Sequence, residues 1–226
     1  TRAVHKKSPF SVSDLAHELQ RICDDRNIHV VHAHSRVPAW IGHFATRRRR
    51  AAFIITAHGQ YAPHIGSRVM AWGDHIICVS RIIMEHMAQK LGADASRMSV
   101  IYNGVDMEES LAMQGQARPP EAVRAELGLP EGAPVIGAIG RLTVTKGLRY
   151  FFEALAILVK SKPELRALIV GDGPLKKELQ EQIKAAGITN HVLFTGVRTD
   201  IYDLFGVMDA YVVSSLCGGT GSGSLL

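Results

Sequence analysis

A single rhythm constrains this chain more than any other feature. Short apolar runs rich in Val and Ile stand at residues 29–35, 52–58, 75–80 and 98–102, and again at 134–139, 166–170, 191–195 and 210–214. Runs this uniformly apolar suit parallel strands covered on both faces better than strands with one wet face. Between them, Leu148, Phe151, Phe152, Leu155, Leu158 and Val159 fall on one helical stripe. Ile82, Ile83, Met87 and Leu91 do the same, and a further helix is predicted from Asp14 through residues 17–22. This β-α-β-α order predicts open, mostly parallel α/β sheets.

The eight runs form two series. Residues 107–120, rich in Gln, Gly and Pro and carrying Pro119-Pro120, separate them and read as a linker. The expected organisation is two Rossmann-like lobes, residues 1–106 and 120–226, joined by a linker at 107–119. The first series has no opening βα unit with a Gly-rich turn. Residues 217–226 are Gly/Ser-rich and end on Leu225-Leu226. Both lobes are therefore expected to be truncated pieces of a larger protein.

The composition, with 46% hydrophobic and 21% charged residues, is enough for a real core. No run approaches the roughly 20 apolar residues that span a bilayer, and no secretory leader is evident, so a cytoplasmic location is expected. Three cysteines (Cys23, Cys78, Cys217) without a CxxC pair read as reduced thiols, not a disulfide frame or a zinc site.

The net charge of +5 suits an anionic partner. Its focus, Arg47-Arg48-Arg49-Arg50, has two readings. One is a solvated helix end, where cations meet the negative end of the dipole. The other is a patch that docks on an anionic membrane surface. Nucleic acid is not expected, because such sites interleave basic with aromatic residues and only 6% of this chain is aromatic. Phe44 and Phe53, beside the run, read as core positions.

The densest chemical signal is Ile139-Gly140-Arg141-Leu142-Thr143-Val144-Thr145-Lys146-Gly147. It follows an apolar strand and leads into the Leu148 stripe, at the strand end where open α/β sheets bind ligands. Gly140 lets backbone approach closely, and the next helix start offers N–H groups to an anion. Arg141 brings a planar fork and Lys146 a point charge; together they suit a diphosphate.

A second turn, Val170-Gly171-Asp172-Gly173-Pro174, should lie beside that loop. Its glycines permit a tight turn, and Pro174 suits a first helical position. A purely structural turn remains open there. So does a mere strand terminus at Phe194-Thr195-Gly196-Val197-Arg198, the alternative to backbone contacts with a flat base. Asn103-Gly104 is a strong turn signal by itself.

His32 and His34 sit two apart on a strand and so share a face. With His58 they offer three imidazoles, but no nearby carboxylate completes a familiar metal-ligand set. His58, before Gly59 at a strand end, is placed to face a crevice.

In this order the segments resemble family 4 of the glycosyltransferases (glycosyl transferases group 1), retaining enzymes of the GT-B fold with two Rossmann-like lobes. The matching residues are Val30-Val31-His32-Ala33-His34, Thr56-Ala57-His58-Gly59, Cys78-Val79-Ser80, Tyr102-Asn103-Gly104-Val105-Asp106, Gly140-Arg141-Leu142 with Lys146-Gly147, Gly171-Asp172-Gly173-Pro174 and Phe194-Thr195-Gly196.

The resemblance implies transfer of a sugar from a nucleotide diphosphate sugar to a hydroxyl acceptor, without a cofactor or a required metal. Arg141 and Lys146, with Gly140, would bind the donor diphosphate. His58 would lie at the reaction centre, and Val197 would meet the base. Gly171 and Gly173 join the nucleotide-sugar side through their expected position. A lipid-linked acceptor in cell-envelope synthesis fits the resemblance and the Arg47–50 run.

The chain departs from the family pattern at Cys217-Gly218-Gly219-Thr220-Gly221, where Gly stands in place of the first of two expected glutamates. That departure leaves two alternatives, a GT-B nucleotide-sugar epimerase and a non-catalytic nucleotide-binding fragment.

Overall fold

The structure, a computed structural model, describes residues 9–47 and 51–216. The chain divides between Asn103 and Gly104 into two compact units.

In the first unit, helix α1 (Pro9–Asp25) precedes strand β1 (Val30–Ala33), helix α2 (Arg36–Thr46) and strand β2 (Ala52–Ala57). Strand β3 (His75–Cys78), helix α3 (Arg81–Leu91) and strand β4 (Met98–Val100) follow. The strands lie side by side in chain order, β1-β2-β3-β4, all parallel. Every carboxyl end therefore emerges on one edge. Ile55, Ile76, Ile83 and Met87 fill the core without exposure. On α3 the stripe is narrower than the spacing suggests, since Ile83, Met87 and Leu91 are buried while Ile82 is exposed.

Phe53 is buried as expected, but Phe44 is 40% exposed and stacks on Trp40 rather than entering the core. Its place on α2 puts it beside the helix end, where burial gives way to solvent. Arg47 caps α2 through its backbone N–H, and its side chain is exposed. Arg48, Arg49 and Arg50 lie outside the described residues.

The second unit opens with helices α4 (Met107–Gly115) and α5 (Pro120–Glu126). Residues 107–115, within the expected linker, are helical. Helix α4 buries no side chain, which is why its hydrophobicity gives no stripe to read. It is held locally: the Asp106 carboxylate accepts the Glu109 N–H at 2.9 Å, and Glu108 and Glu109 complement the first turn.

Strand β5 (Val135–Ile139), helix α6 (Leu148–Leu158), strand β6 (Arg166–Val170) and helix α7 (Lys176–Ala185) come next. Strand β7 (Val192–Gly196), helix α8 (Ile201–Gly206) and strand β8 (Ala210–Tyr211) complete the unit. The sheet runs β7-β6-β5-β8, again all parallel. Leu148, Phe151, Phe152 and Leu155 of α6 pack on it, whereas Leu158 is exposed at the helix end.

Cys23 and Cys78 are buried and form no disulfide, and burial pushes the Cys78 thiol up to about 11. Cys217 lies outside the described residues. Among those described, no helix is long and apolar enough to cross a membrane.

Candidate functional site

At the carboxyl edge of the second sheet, three strand ends are stitched together by backbone. The Gly140 N–H donates to Val170 O at 2.9 Å, the Leu142 N–H to Asp172 O at 3.0 Å, and the Gly171 N–H to Gly196 O at 2.7 Å. Gly140 (φ 151°) and Gly171 (φ 129°) adopt backbone that side chains disfavour. A Cβ on Gly171 would stand 2.1 Å from Gly140 O, and one on Gly173 would stand 2.4 Å from Leu142 O. The second turn therefore lies beside the first, as the sequence predicts. What the structure assigns to Gly171 and Gly173 is close packing of the two turns.

The Arg141 loop folds back on itself through a short 3-10 turn (Val144–Lys146) that ends at Gly147 with φ 63°. Lys146 is thereby laid over Gly140, where an added Cβ would meet its Cε at 3.4 Å and its Nζ at 3.8 Å. The loop is clamped from its other side. Ser214 Oγ donates to Lys146 O at 2.8 Å, and the Leu216 N–H donates to Thr145 O at 2.9 Å. A small cleft lies along this edge, lined by Gly140, Lys146, Tyr211 and Ser214 among others.

Among the described residues, the side chains of Arg141 and Lys146 have no hydrogen-bond or ion-pair partner, while nearby Lys176 is satisfied by Asp172 at 3.0 Å. Two uncompensated cations thus sit beside a helix N-terminus, a ready environment for an anion.

Val197 follows Gly196 (φ 74°) and is 76% exposed. Its neighbour Arg198 pairs with Asp200 and, at 2.9 Å, with Glu126. Arg118 completes this network, reaching Asp203 at 2.6 Å, Glu126 at 2.6 Å and Asp200 at 3.0 Å. The Arg198 guanidinium holds the Asp200 carboxyl down at about 2. Sequence reasoning misses this anchor because its members lie 82 and 85 positions from Arg118.

In the first unit, His32, His34 and His58 come together at the carboxyl edge. His34 Nδ1 and His58 Nε2 are 2.9 Å apart with their rings stacked, and His32 Nε2 lies 2.7 Å from the Thr56 hydroxyl. Burial, then the neighbouring imidazole of His34, lowers the pKa of both His32 and His58. Among the described residues, no group of three His, Cys, Asp or Glu is arranged to hold a metal ion. The turn at Asn103-Gly104 serves the next helix, whose N-cap is Asp106.

Two all-parallel α/β units, each with its loops gathered at a carboxyl edge, define the GT-B class of fold. The chain is similar in structure to a glycosyltransferase from Rickettsia africae, with a TM-score of 0.77 and 25% identity over 95% of this chain and 59% of that one. It is also similar to the Anabaena protein HepE, solved in complex with UDP, with a TM-score of 0.74 and 24% identity over 91% of this chain and 58% of that one.

Residues 2–109 match Glycosyltransferase Family 4, and residues 120–223 match Glycosyl transferases group 1. The chain belongs to this glycosyltransferase family. A curated relative from Escherichia coli, UDP-Gal:alpha-D-GlcNAc-diphosphoundecaprenol alpha-1,3-galactosyltransferase, is 28% identical over 88% of this chain and 54% of its own length. The 2-deoxystreptamine glucosyltransferase of Streptomyces kanamyceticus is 34% identical over 49% of this chain and 28% of its own length. The chain spans 28%, 54% and 61% of three such relatives.

Proposed function

We propose that this chain forms the core of a glycosyltransferase that moves a sugar from a nucleotide diphosphate sugar to a hydroxyl acceptor, with retention at the anomeric carbon. The observation that carries this reading is the pair of unpartnered cations, Arg141 and Lys146, beside the start of α6. As the bond from the anomeric carbon to the diphosphate breaks, negative charge grows on the leaving oxygens. Arg141 forks onto two of them, Lys146 adds its charge, and the helix N–H groups complete the cradle. These groups replace the charge a metal would bring, so no metal or cofactor is required.

The departing phosphate takes the proton of the incoming hydroxyl, on the same face it leaves. His58 lies at the donor sugar, Gly171 and Gly173 shape the nucleotide-sugar side, and Val197 meets the base. The relatives' printed names favour an acceptor in envelope synthesis. One names a diphosphoundecaprenol acceptor, and another names lipopolysaccharide core biosynthesis in Rhizobium meliloti. We extend to this chain a lipid-linked acceptor, met at the inner face of the plasma membrane by residues 47–50.

Calorimetric titration with UDP, GDP and ADP tests the donor side. One nucleotide should bind in preference, and Arg141→Ala should weaken it by about 1.5–3 kcal/mol, the worth of a hydrogen bond to a charged group. Binding of none of the three, or an unchanged affinity in the variant, would sink the assignment.

A further inference from the structure

Arg118, in the short connection between α4 and α5, turns each edge of its guanidinium to a carboxylate. Nε donates to Asp203 at 2.6 Å, Nη1 to Glu126 at 2.6 Å and Nη2 to Asp200 at 3.0 Å. Its backbone N–H donates to the other Asp203 oxygen at 2.9 Å, so one carboxylate holds both main chain and side chain. Asp203 is itself buried on α8.

Partly exposed ion pairs add little to stability, and the side chains of Arg118 and Glu126 are 44% and 39% exposed. What a planar fork supplies is direction. Three carboxylates (Glu126, Asp200, Asp203) face two guanidiniums, so the cluster has no spare positive charge with which to draw a phosphate. Any effect on a nucleotide must pass through shape.

The element it shapes is the loop after β7. At one end, Gly196 O accepts the Gly171 N–H at 2.7 Å, which fixes the loop to the glycine turns. At the other, Asp200 takes Arg118 Nη2 on one oxygen and Arg198 Nε, at 2.8 Å, on the other. Arg198 also reaches Glu126 at 2.9 Å. Side chains alternate between these ends: Val197 and Thr199 are exposed, while Arg198 and Asp200 turn into the cluster. The loop is pinned twice, with Val197 between the pins.

We propose that Arg118 is a positioning residue for the donor nucleotide. From the α4–α5 connection it sets the course of residues 197–200, and a nucleotide bound against that loop in turn tightens the Arg118 contacts. The proposal rests on the donor reading above for the nucleotide at Val197, and adds to it a residue that lies in none of the strand-end turns. Linkage makes the effect reciprocal: whatever Arg118 contributes to nucleotide affinity returns, on binding, as protection of its own contacts.

The test titrates the full chain calorimetrically with UDP, GDP and ADP, and with inorganic pyrophosphate, which lacks a base and so reaches only the Arg141–Lys146 cradle. Arg118→Ala should weaken the nucleotide about fivefold, the lower range of coupling between linked sites, and leave pyrophosphate affinity unchanged. Arg118→Lys, which keeps the charge but loses the planar fork, should recover only part of the loss. In the unsubstituted chain, the Arg118 amide should exchange its hydrogen about fivefold more slowly with nucleotide bound, and at its free rate with pyrophosphate bound. This measurement needs no variant, so it stands whether or not the substituted chains fold.

Unchanged nucleotide affinity in Arg118→Ala, equal weakening of nucleotide and pyrophosphate, full recovery in Arg118→Lys, or an Arg118 amide indifferent to nucleotide would each overturn the positioning role and leave the donor reading intact. Binding of none of the three nucleotides would instead remove the donor reading, and this role with it.

Discussion

Both sheets are all parallel and gather their connections at a carboxyl edge, but the two edges are built from different materials. In the second unit, turns are joined by backbone hydrogen bonds, and glycines bring carbonyls within a distance no side chain tolerates. In the first, imidazoles, a guanidinium and a hydroxyl make the joints. A backbone-built edge leaves its cations free for a ligand, because nothing else in the edge needs them. A side-chain-built edge uses its functional groups to hold its own shape. Its affinity for a ligand and its stability should therefore be coupled through the same residues.

The sharpest way to break this contrast is Gly171→Ala. The added methyl would overlap Gly140 O at a φ of 129°, so backbone of both turns must move. Strain and overpacking together should cost the second unit about 3 kcal/mol or more. Urea unfolding of the chain would measure it, and a loss below about 1 kcal/mol would mean that the turns are not rigidly joined.

A smaller effect is expected from Arg118→Ala. It leaves the Asp203 carboxylate with the residue-118 N–H, at 2.9 Å, but without its guanidinium. Arg118 is partly exposed, so solvent screens much of the interaction and the loss should be well below that of Gly171→Ala. The same unfolding curve reads it, and nucleotide selectivity should broaden as the loop carrying Val197 loosens. Unchanged selectivity would separate the network from the loop.

The gentlest probe is acid. His32 and His58 have lowered pKa values, mainly through burial, so the unfolded chain binds their protons more readily. The first unit should be fully stable above the ordinary imidazole value and lose stability as pH falls below it. The second unit should respond later. Asp200, Asp203 and Glu126 have lowered values through Arg198 and Arg118, and their contribution fades only as pH falls below the ordinary carboxylate range, for Asp200 down to about 2. Unfolding midpoints followed separately at pH 7, 5 and 3 would show the two steps; a common acid step would erase the distinction.

The same contrast explains what could be read from sequence. All eight strands are legible because both faces of a parallel sheet demand continuous Val and Ile. The Arg141 loop is legible because glycines mark where backbone crowds. Helix α7 is signalled only by Pro174, two residues before its start, because only Leu179 and Ile183 of its ten residues are buried, and α4 escapes notice because none of its residues is. The Arg118 network and the Arg36–His64–Ser67 contacts of the first edge leave no local trace, since their partners meet only after the chain has folded. His32 and His34 were placed on one face by strand period alone, but the contact of His34 with His58 needed the register of β1 against β2.

The contact of Gly171 with Gly140 has a consequence for how such a chain can change over generations. No substitution at Gly171 avoids the carbonyl it faces, so the two joined turns offer almost no neighbouring sequences to drift through. The Val197 loop hangs on exchangeable ion pairs and presents its side chain outward. Descendants of one ancestor can therefore alter the exposed Val197 loop while inheriting the joined turns unchanged.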